Sequence, residues 1–297
     1  EYQLKVLDFA KNWFEDFEKI DVKYFLISGN LLGAYRNKGF IPWDDDIDIG
    51  MIRDDFDKLI EYLRKNCLEV DVSEISYSKR NRSFVIIEFI KKNSNVMSFA
   101  IFPTHLQILK VDSMKNLMTL DIHPYDYNSD DYTEEEIKKD INLIKRQKTK
   151  IDNFAELNKY LKELRLSNNK IGVKSNKIYY GYDNYDITFI PFTDWYKVDD
   201  ILPIKKVGYE NTQCCVPNKP EKILLIHYGK DYMSMPKEIV LNSHFICRKI
   251  DEVVESSFER ATIYKALKEK FNFFKRNKYK KLYKKTKSLA DLMLNIV

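Results

Sequence analysis

The sequence predicts an α+β fold, a mixed β-sheet flanked by helices, with a helical insertion and a basic C-terminal helix. Three observations carry that prediction. Apolar residues recur at three- and four-residue spacing in residues 2–19 and again after Met51. Runs rich in β-branched and aromatic residues cluster between residues 83 and 126. A second block of helical period follows, and a lysine-rich amphipathic stretch ends the chain.

The elements follow in order. Leu4, Leu7, Ala10, Phe14 and Phe17 give residues 2–19 an apolar stripe that should pack on the sheet. Val22–Ile27 reads as a strand ending at Ser28-Gly29, and Asn30–Tyr35 as a short helix. Asp46-Ile47-Asp48-Ile49 alternates as a strand does, and Arg53–Leu63 reads as a helix with acids in its first turn. Phe84–Ile90, Leu106–Val111 and Leu117–Ile122 extend the sheet and should bring Asp121 beside Asp46 and Asp48. Thr133 and Glu136 have capping-box spacing ahead of the stripe Ile137, Ile141 and Ile144, and a second helix is expected over Glu156–Leu166.

These readings divide the chain into a core over 1–127, a helical insertion over 128–172, a C-terminal part over 173–250 and a basic tail over 251–297. Hydrophobic residues make up 44% and aromatics 14%, enough for a sizeable core. Eight glycines and eight prolines exclude a low-complexity chain. The four cysteines form no C-x-x-C pair, which argues against a zinc site and a disulfide framework and for a reducing compartment. No 18-residue apolar run and no signal peptide is legible, so a cytoplasmic location is expected.

The net charge of +5 is unevenly spread. Residues 265–287 carry eleven Lys or Arg and one acid, so the rest of the chain is net acidic. With Leu267, Phe271, Phe274, Leu282 and Tyr283 this tail suits peripheral contact with an anionic membrane at its inner face, or a helix packed on its own domain. No nucleic-acid module accompanies the charge, so nucleic acid is not an expected partner. The aromatics of 178–196 (Tyr179, Tyr180, Tyr182, Trp195 and others) read either as core positions or as a cage for a quaternary ammonium group.

The densest chemical signal lies in Ser28–Gly50, which holds a small-residue turn, the basic Arg36 and Lys38, and the aspartates 44, 45, 46 and 48. On a strand, Asp46 and Asp48 share one face, about 7 Å apart. Clustered carboxylates repel unless a cation lies between them, which suits a divalent-metal site for phosphate chemistry. The turn and helix start ahead of them aim backbone N–H groups at an anion. A solvated or Ca²⁺-binding loop is the plainer reading, although EF-hand order and its terminal Glu are missing.

Gly29–Arg36 followed by Lys38–Met51 resembles the signature of the LicD/fukutin family. Thr119–Asp126 is similar to its second acidic motif, with His123 where the family usually has Phe. Val216–Pro220, Tyr228–Tyr232 and Pro236 are similar to its C-terminal motif. The resemblance implies a nucleotidyltransferase-like fold and transfer of a phospho-alcohol, phosphocholine first among them, from a CDP-activated donor. The acceptor would be a bacterial cell-surface glycan or glycolipid precursor.

It also implies that Asp46, Asp48 and Asp121 are the catalytic residues and hold Mg²⁺ or Mn²⁺, with Asp121 sharing the ion or serving as general base. Gly29, Asn30, Arg36 and Lys38 would contact the donor phosphates. Asp44, His123 and Asp126 form a second tier: Asp44 matches an acidic family position, and His123 reads as ligand, acceptor contact or satisfied core histidine. Two other readings stay open, a nucleotidyltransferase moving NMP from an NTP and a retired catalytic fold that binds glycan or membrane.

Overall fold

The computed structural model describes residues 2–77, 82–91, 96–101, 106–111, 117–148, 150–151, 154–182 and 196–235. The basic tail and residues 183–195 of the aromatic segment 178–196 lie outside these residues. The architecture is α+β, a mixed sheet flanked by helices. Helix α1 (Tyr2–Lys19) buries Val6, Leu7, Phe9, Ala10, Trp13, Phe14 and Phe17. Leu4 was expected on that stripe and is 42% exposed. At 3.6 residues per turn it falls on the flank away from the stripe that Phe9 and Trp13 complete.

The strand expected over Val22–Ile27 is short, β1 (Phe25–Leu26), because α2 (Ser28–Arg36) starts at once and draws the Ile27 carbonyl into its first helical bond. Strand β2 (Ile47–Ile52) follows, antiparallel to β1, and α3 (Arg53–Asn66) carries Asp54 and Asp55 in its first turn. Four antiparallel neighbours then run β3 (Cys67–Tyr77), β4 (Arg82–Lys91), β5 (Val96–Ile101) and β6 (Leu106–Val111). The long strand β7 (Leu117–Asn128) closes the path back, parallel to β2 and antiparallel to β6.

The sheet order is therefore β1-β2-β7-β6-β5-β4-β3. Ile47 aligns with Leu120 and Ile49 with Ile122, and all four side chains are fully buried. With a period of two, the opposite face presents Asp48, Gly50, Asp121, His123 and Tyr125. One face of the β2–β7 pair is thus core and the other is chemistry. Gly50 is required there, because a Cβ would come within 2.5 Å of the Phe25 ring and 2.8 Å of the Tyr125 ring.

The helical excursion comprises α4 (Glu134–Lys148) and α5 (Phe154–Ser167). The capping box forms: Glu136 accepts the Thr133 N–H at 2.9 Å, and Thr133 Oγ1 accepts the Glu136 N–H at 3.3 Å. Ile137, Ile141 and Ile144 are buried as the spacing predicts. The chain then rejoins the sheet as β8 (Lys177–Tyr180) against the far end of β7, with β9 (Tyr196–Lys197) beyond it. After α6 (Val198–Ile201), the hairpin β10 (Lys205–Tyr209) and β11 (Thr212–Val216) leads to α7 (Pro220–Tyr228), which packs on α2.

Of the second-tier residues, Asp126 is fully buried and accepts two bonds from Arg53, Nε to Oδ1 at 2.8 Å and Nη2 to Oδ2 at 3.0 Å. The Tyr182 N–H adds a third at 3.3 Å. Burial pushes this carboxyl up, but the guanidinium overrides it and holds the group below the ordinary carboxylate range. Removing one partner strands a buried charge, so Asp126→Ala should lose about 3–5 kcal/mol in denaturant unfolding. The double change Asp126→Leu with Arg53→Met should recover most of that loss.

Candidate active site

The site is organised by Asn30, whose side chain is fully buried in the first turn of α2. The antiparallel pairing of β1 with β2 would continue through Ile27 and Asp48, and the Ile27 N–H does donate to the Asp48 carbonyl at 3.2 Å. The return bond is blocked, because the Ile27 carbonyl already accepts the Leu31 N–H at 2.9 Å. Asn30 supplies it instead: its Oδ1 accepts the Asp48 N–H at 2.5 Å, and its Nδ2 donates to the Asp46 carbonyl at 3.0 Å. The same Nδ2 donates to Asp44 Oδ2 at 3.1 Å. One amide thus stands in for a missing strand and fixes three of the four aspartates.

Distant elements hold the rest of the acidic loop. Gln3 Nε2 donates to the carbonyls of Ile41 at 2.9 Å and Asp44 at 2.7 Å. Glu210, at the β10–β11 turn, accepts the Phe40 N–H at 3.0 Å and donates its own N–H to the Lys38 carbonyl at 2.8 Å. Asp46 was expected on the strand beside Asp48, but β2 begins one residue later, at Ile47. The Asp46 carbonyl is spent on Asn30 rather than on a ladder.

Asp44 lies over the bare Cα of Gly29, where a Cβ would approach its Oδ2 to 2.7 Å. Burial first, then the carboxylates of Asp46, Asp48 and Asp45, push the Asp44 carboxyl up to about 9. Burial, Asp48 and Asp45 likewise raise Asp46 well above the ordinary range. So much negative charge in one place suits a bound cation.

Asp48 pairs with Asp121 across β2 and β7, and His123 follows on the same face. Carboxylate oxygens of both aspartates and a ring nitrogen of His123 lie within 4.8 Å of one another, a group able to hold a metal ion. His123 Nε2 is 3.7 Å from Asp48 Oδ1. Its Nδ1 is 2.8 Å from the Tyr180 hydroxyl.

Residues 21–151 match the domain described as LicD/FKTN/FKRP, nucleotidyltransferase domain, a stretch that contains the acidic loop, Asp121 and His123. Over that stretch the chain is similar to the LicD family. Among curated relatives, the lipopolysaccharide cholinephosphotransferase LicD of Haemophilus influenzae is 29% identical over 126 residues, 42% of this chain and 43% of that protein. Uncharacterized proteins of Rickettsia prowazekii and Rickettsia typhi are each 44% identical over 52 residues, 18% of this chain and 20% and 17% of theirs. The chain spans less than half the length of these relatives.

Arg36 ends α2 and donates from Nη1 to the carbonyls of Tyr232 at 3.3 Å and Ser234 at 3.2 Å, tying the C-terminal motif to the site. Its Nη2 is buried without a hydrogen-bond partner among the described residues. Lys38 is exposed and caps α2 through the Tyr35 carbonyl at 3.3 Å. Tyr228, at the end of α7, lies close enough to Asp44 and Asp48 for their charge to raise its hydroxyl pKa further, after burial. Tyr179, Tyr180, Tyr182 and Tyr196 are buried core positions.

Gln3 and Glu210 were not foreseen as parts of the site, and Tyr180 was foreseen only as a core or cage aromatic, not as a partner of His123. All three lie outside its motifs, and only Tyr180 and Glu210 carry a signal, as a polar tip in an aromatic run and a hairpin turn. Asn30→Ala should destabilise the protein by about 2 kcal/mol or more, since two backbone groups and Asp44 lose their partner, as chemical denaturation would report. The raised Asp44 pKa means the folded protein keeps a proton that the unfolded chain releases near pH 4. Stability of the chelator-treated protein should therefore fall as pH rises from about 4 to 9. Asp44→Asn should flatten that slope, with a Tm gain over wild type larger at about pH 8 than at about pH 5.

Proposed function

We propose that this protein moves phosphocholine, or a related phospho-alcohol, from a CDP-activated donor to a hydroxyl of a cell-surface glycan or its precursor and releases CMP. The convergence of Asp48, Asp121 and His123 on one sheet face, inside the stretch matched to the LicD family, carries this reading. The cholinephosphotransferase relative supports phosphocholine as the group and a lipopolysaccharide-type glycan as acceptor.

Asp48 and Asp121, with Asp46 beside them, are proposed to hold Mg²⁺ or Mn²⁺. When bound, the ion neutralises the donor diphosphate and stabilises charge on the leaving phosphate. The chain's own groups do the positioning. The first turn of α2 offers peptide N–H groups to the same diphosphate. Arg36 Nη2 is a further donor, buried with no acceptor among the described residues. The acceptor oxygen bonds to the phosphorus bearing the alcohol, the bond from that phosphorus to CMP breaks, and the hydroxyl proton passes to a cluster carboxylate, Asp121 in our reading. No helix of the described residues is long and apolar enough to cross a membrane. The basic stretch 265–287 would hold the enzyme at an anionic inner membrane surface.

The test is CMP release from CDP-choline, CDP-ethanolamine, CDP-ribitol and CDP-glycerol with a lipopolysaccharide-type acceptor. One donor should turn over, and Asp48→Asn and Asp121→Asn variants that stay folded should lose on the order of a hundredfold or more in kcat. Pyrophosphate release from an NTP would make the protein a nucleotidyltransferase. Full activity in both variants would overturn the proposed chemistry.

A further inference from the structure

We infer that His123 is a third metal ligand, held in place by Tyr180, and that it turns this site from Mg²⁺ toward a transition ion such as Mn²⁺ or Co²⁺. The inference rests on reading the cluster as a metal centre. Three features of the fold carry it. His123 is 6% exposed, on the same β7 face as Asp121, and its Nε2 faces Asp48 Oδ1 at 3.7 Å. Two nonbonded ligand atoms at that distance are about as far apart as ligands around one ion of 2.0–2.3 Å bond length.

The other ring nitrogen, Nδ1, is occupied by the Tyr180 hydroxyl at 2.8 Å. A ligating histidine needs its second nitrogen engaged in this way, because that bond fixes the tautomer and the ring plane. With Nδ1 carrying the proton and donating to Tyr180, Nε2 is left unprotonated toward Asp48 and Asp121. Tyr180 is itself fixed, its ring in an edge contact with Tyr125 at 4.9 Å and on the β8 end of the sheet. It is a positioning residue, acting on the ion only through His123.

Two carboxylates alone form a hard oxygen site of the kind Mg²⁺ occupies with several waters retained. A neutral imidazole adds a softer nitrogen donor, for which the first-row transition ions have greater affinity than Mg²⁺. The residue at 123 thereby sets the choice of ion, while Asp48 and Asp121 supply the charge.

The test is calorimetric titration of the chelator-treated full chain with MnCl₂, CoCl₂ and MgCl₂, with pulsed EPR of bound Mn²⁺. Wild type should bind Mn²⁺ at least about tenfold more tightly than Mg²⁺ and show nitrogen hyperfine coupling. His123→Phe should lose about 10–100-fold in Mn²⁺ and Co²⁺ affinity and the nitrogen coupling, with Mg²⁺ affinity changed by less than about threefold. Tyr180→Phe keeps the ring packing and should lose about tenfold for Mn²⁺ with the coupling retained. Because the coupling is read on wild type, the test stands even if His123→Phe fails to fold. Mn²⁺ binding without nitrogen coupling, or unchanged selectivity in a folded His123→Phe protein, would overturn this inference and leave the proposed transferase intact. Absence of binding by any of the three ions would overturn the metal centre itself and this inference with it.

Discussion

The hydrogen bonds of one buried amide decide whether the acidic loop has a shape at all. Where β1 gives way to α2, the last carbonyl of the strand turns into the helix, and the partner strand is left with an unmatched N–H at Asp48. Asn30 resolves this conflict by presenting an oxygen and a nitrogen in the spacing of a peptide group. An aspartate there could accept but not donate, and a glutamine would be a methylene too long. The geometry of the carboxylates is therefore inherited from a helix, while the charge they carry comes from a loop and a strand.

That arrangement concentrates like charge beside a packed sheet. The apolar face of β2 and β7 is shut tight by Ile47, Ile49, Leu120 and Ile122, and the same two strands carry the acids on their other face. Hydrophobic burial on one side of a two-strand pair thus offsets electrostatic strain on the other. Gln3 in α1, Asn30 in α2 and Glu210 at the β10–β11 turn reach the loop from three separate elements, which lets repelling carboxylates be held without a rigid local turn. The buried Arg53–Asp126 pair anchors the next turn of the same sheet.

Much of this was legible beforehand because it depends on local period. The first helix, the capping box at Thr133, the helix after Met51 and the strand bearing Asp121 all follow from spacing alone. Alternation along β7 also keeps His123 on the Asp121 face. What escaped depends on contacts between distant segments. The shortness of β1 is set by competition for one carbonyl, and the late start of β2 by where Asn30 spends its donors. Tyr180 comes to His123 only because β8 takes over the edge of β7 where β6 leaves off, a consequence of sheet topology that no window of sequence contains. Leu4 shows the opposite limit, an apolar residue near the right spacing that faces away from the core.

The helical excursion has one further property. The chain departs beside Ser129 and comes home beside Lys170, and these two points are joined by a bond from the Ser129 N–H to the Lys170 carbonyl at 2.8 Å. Gly172 closes the junction by donating to the Tyr127 carbonyl at 2.7 Å. Departure and return are already as close as the two sides of a hairpin. The sheet needs only that short neck, so α4 and α5 form a graft whose size can vary at small entropic cost while β7, with Asp121 and His123, keeps its register.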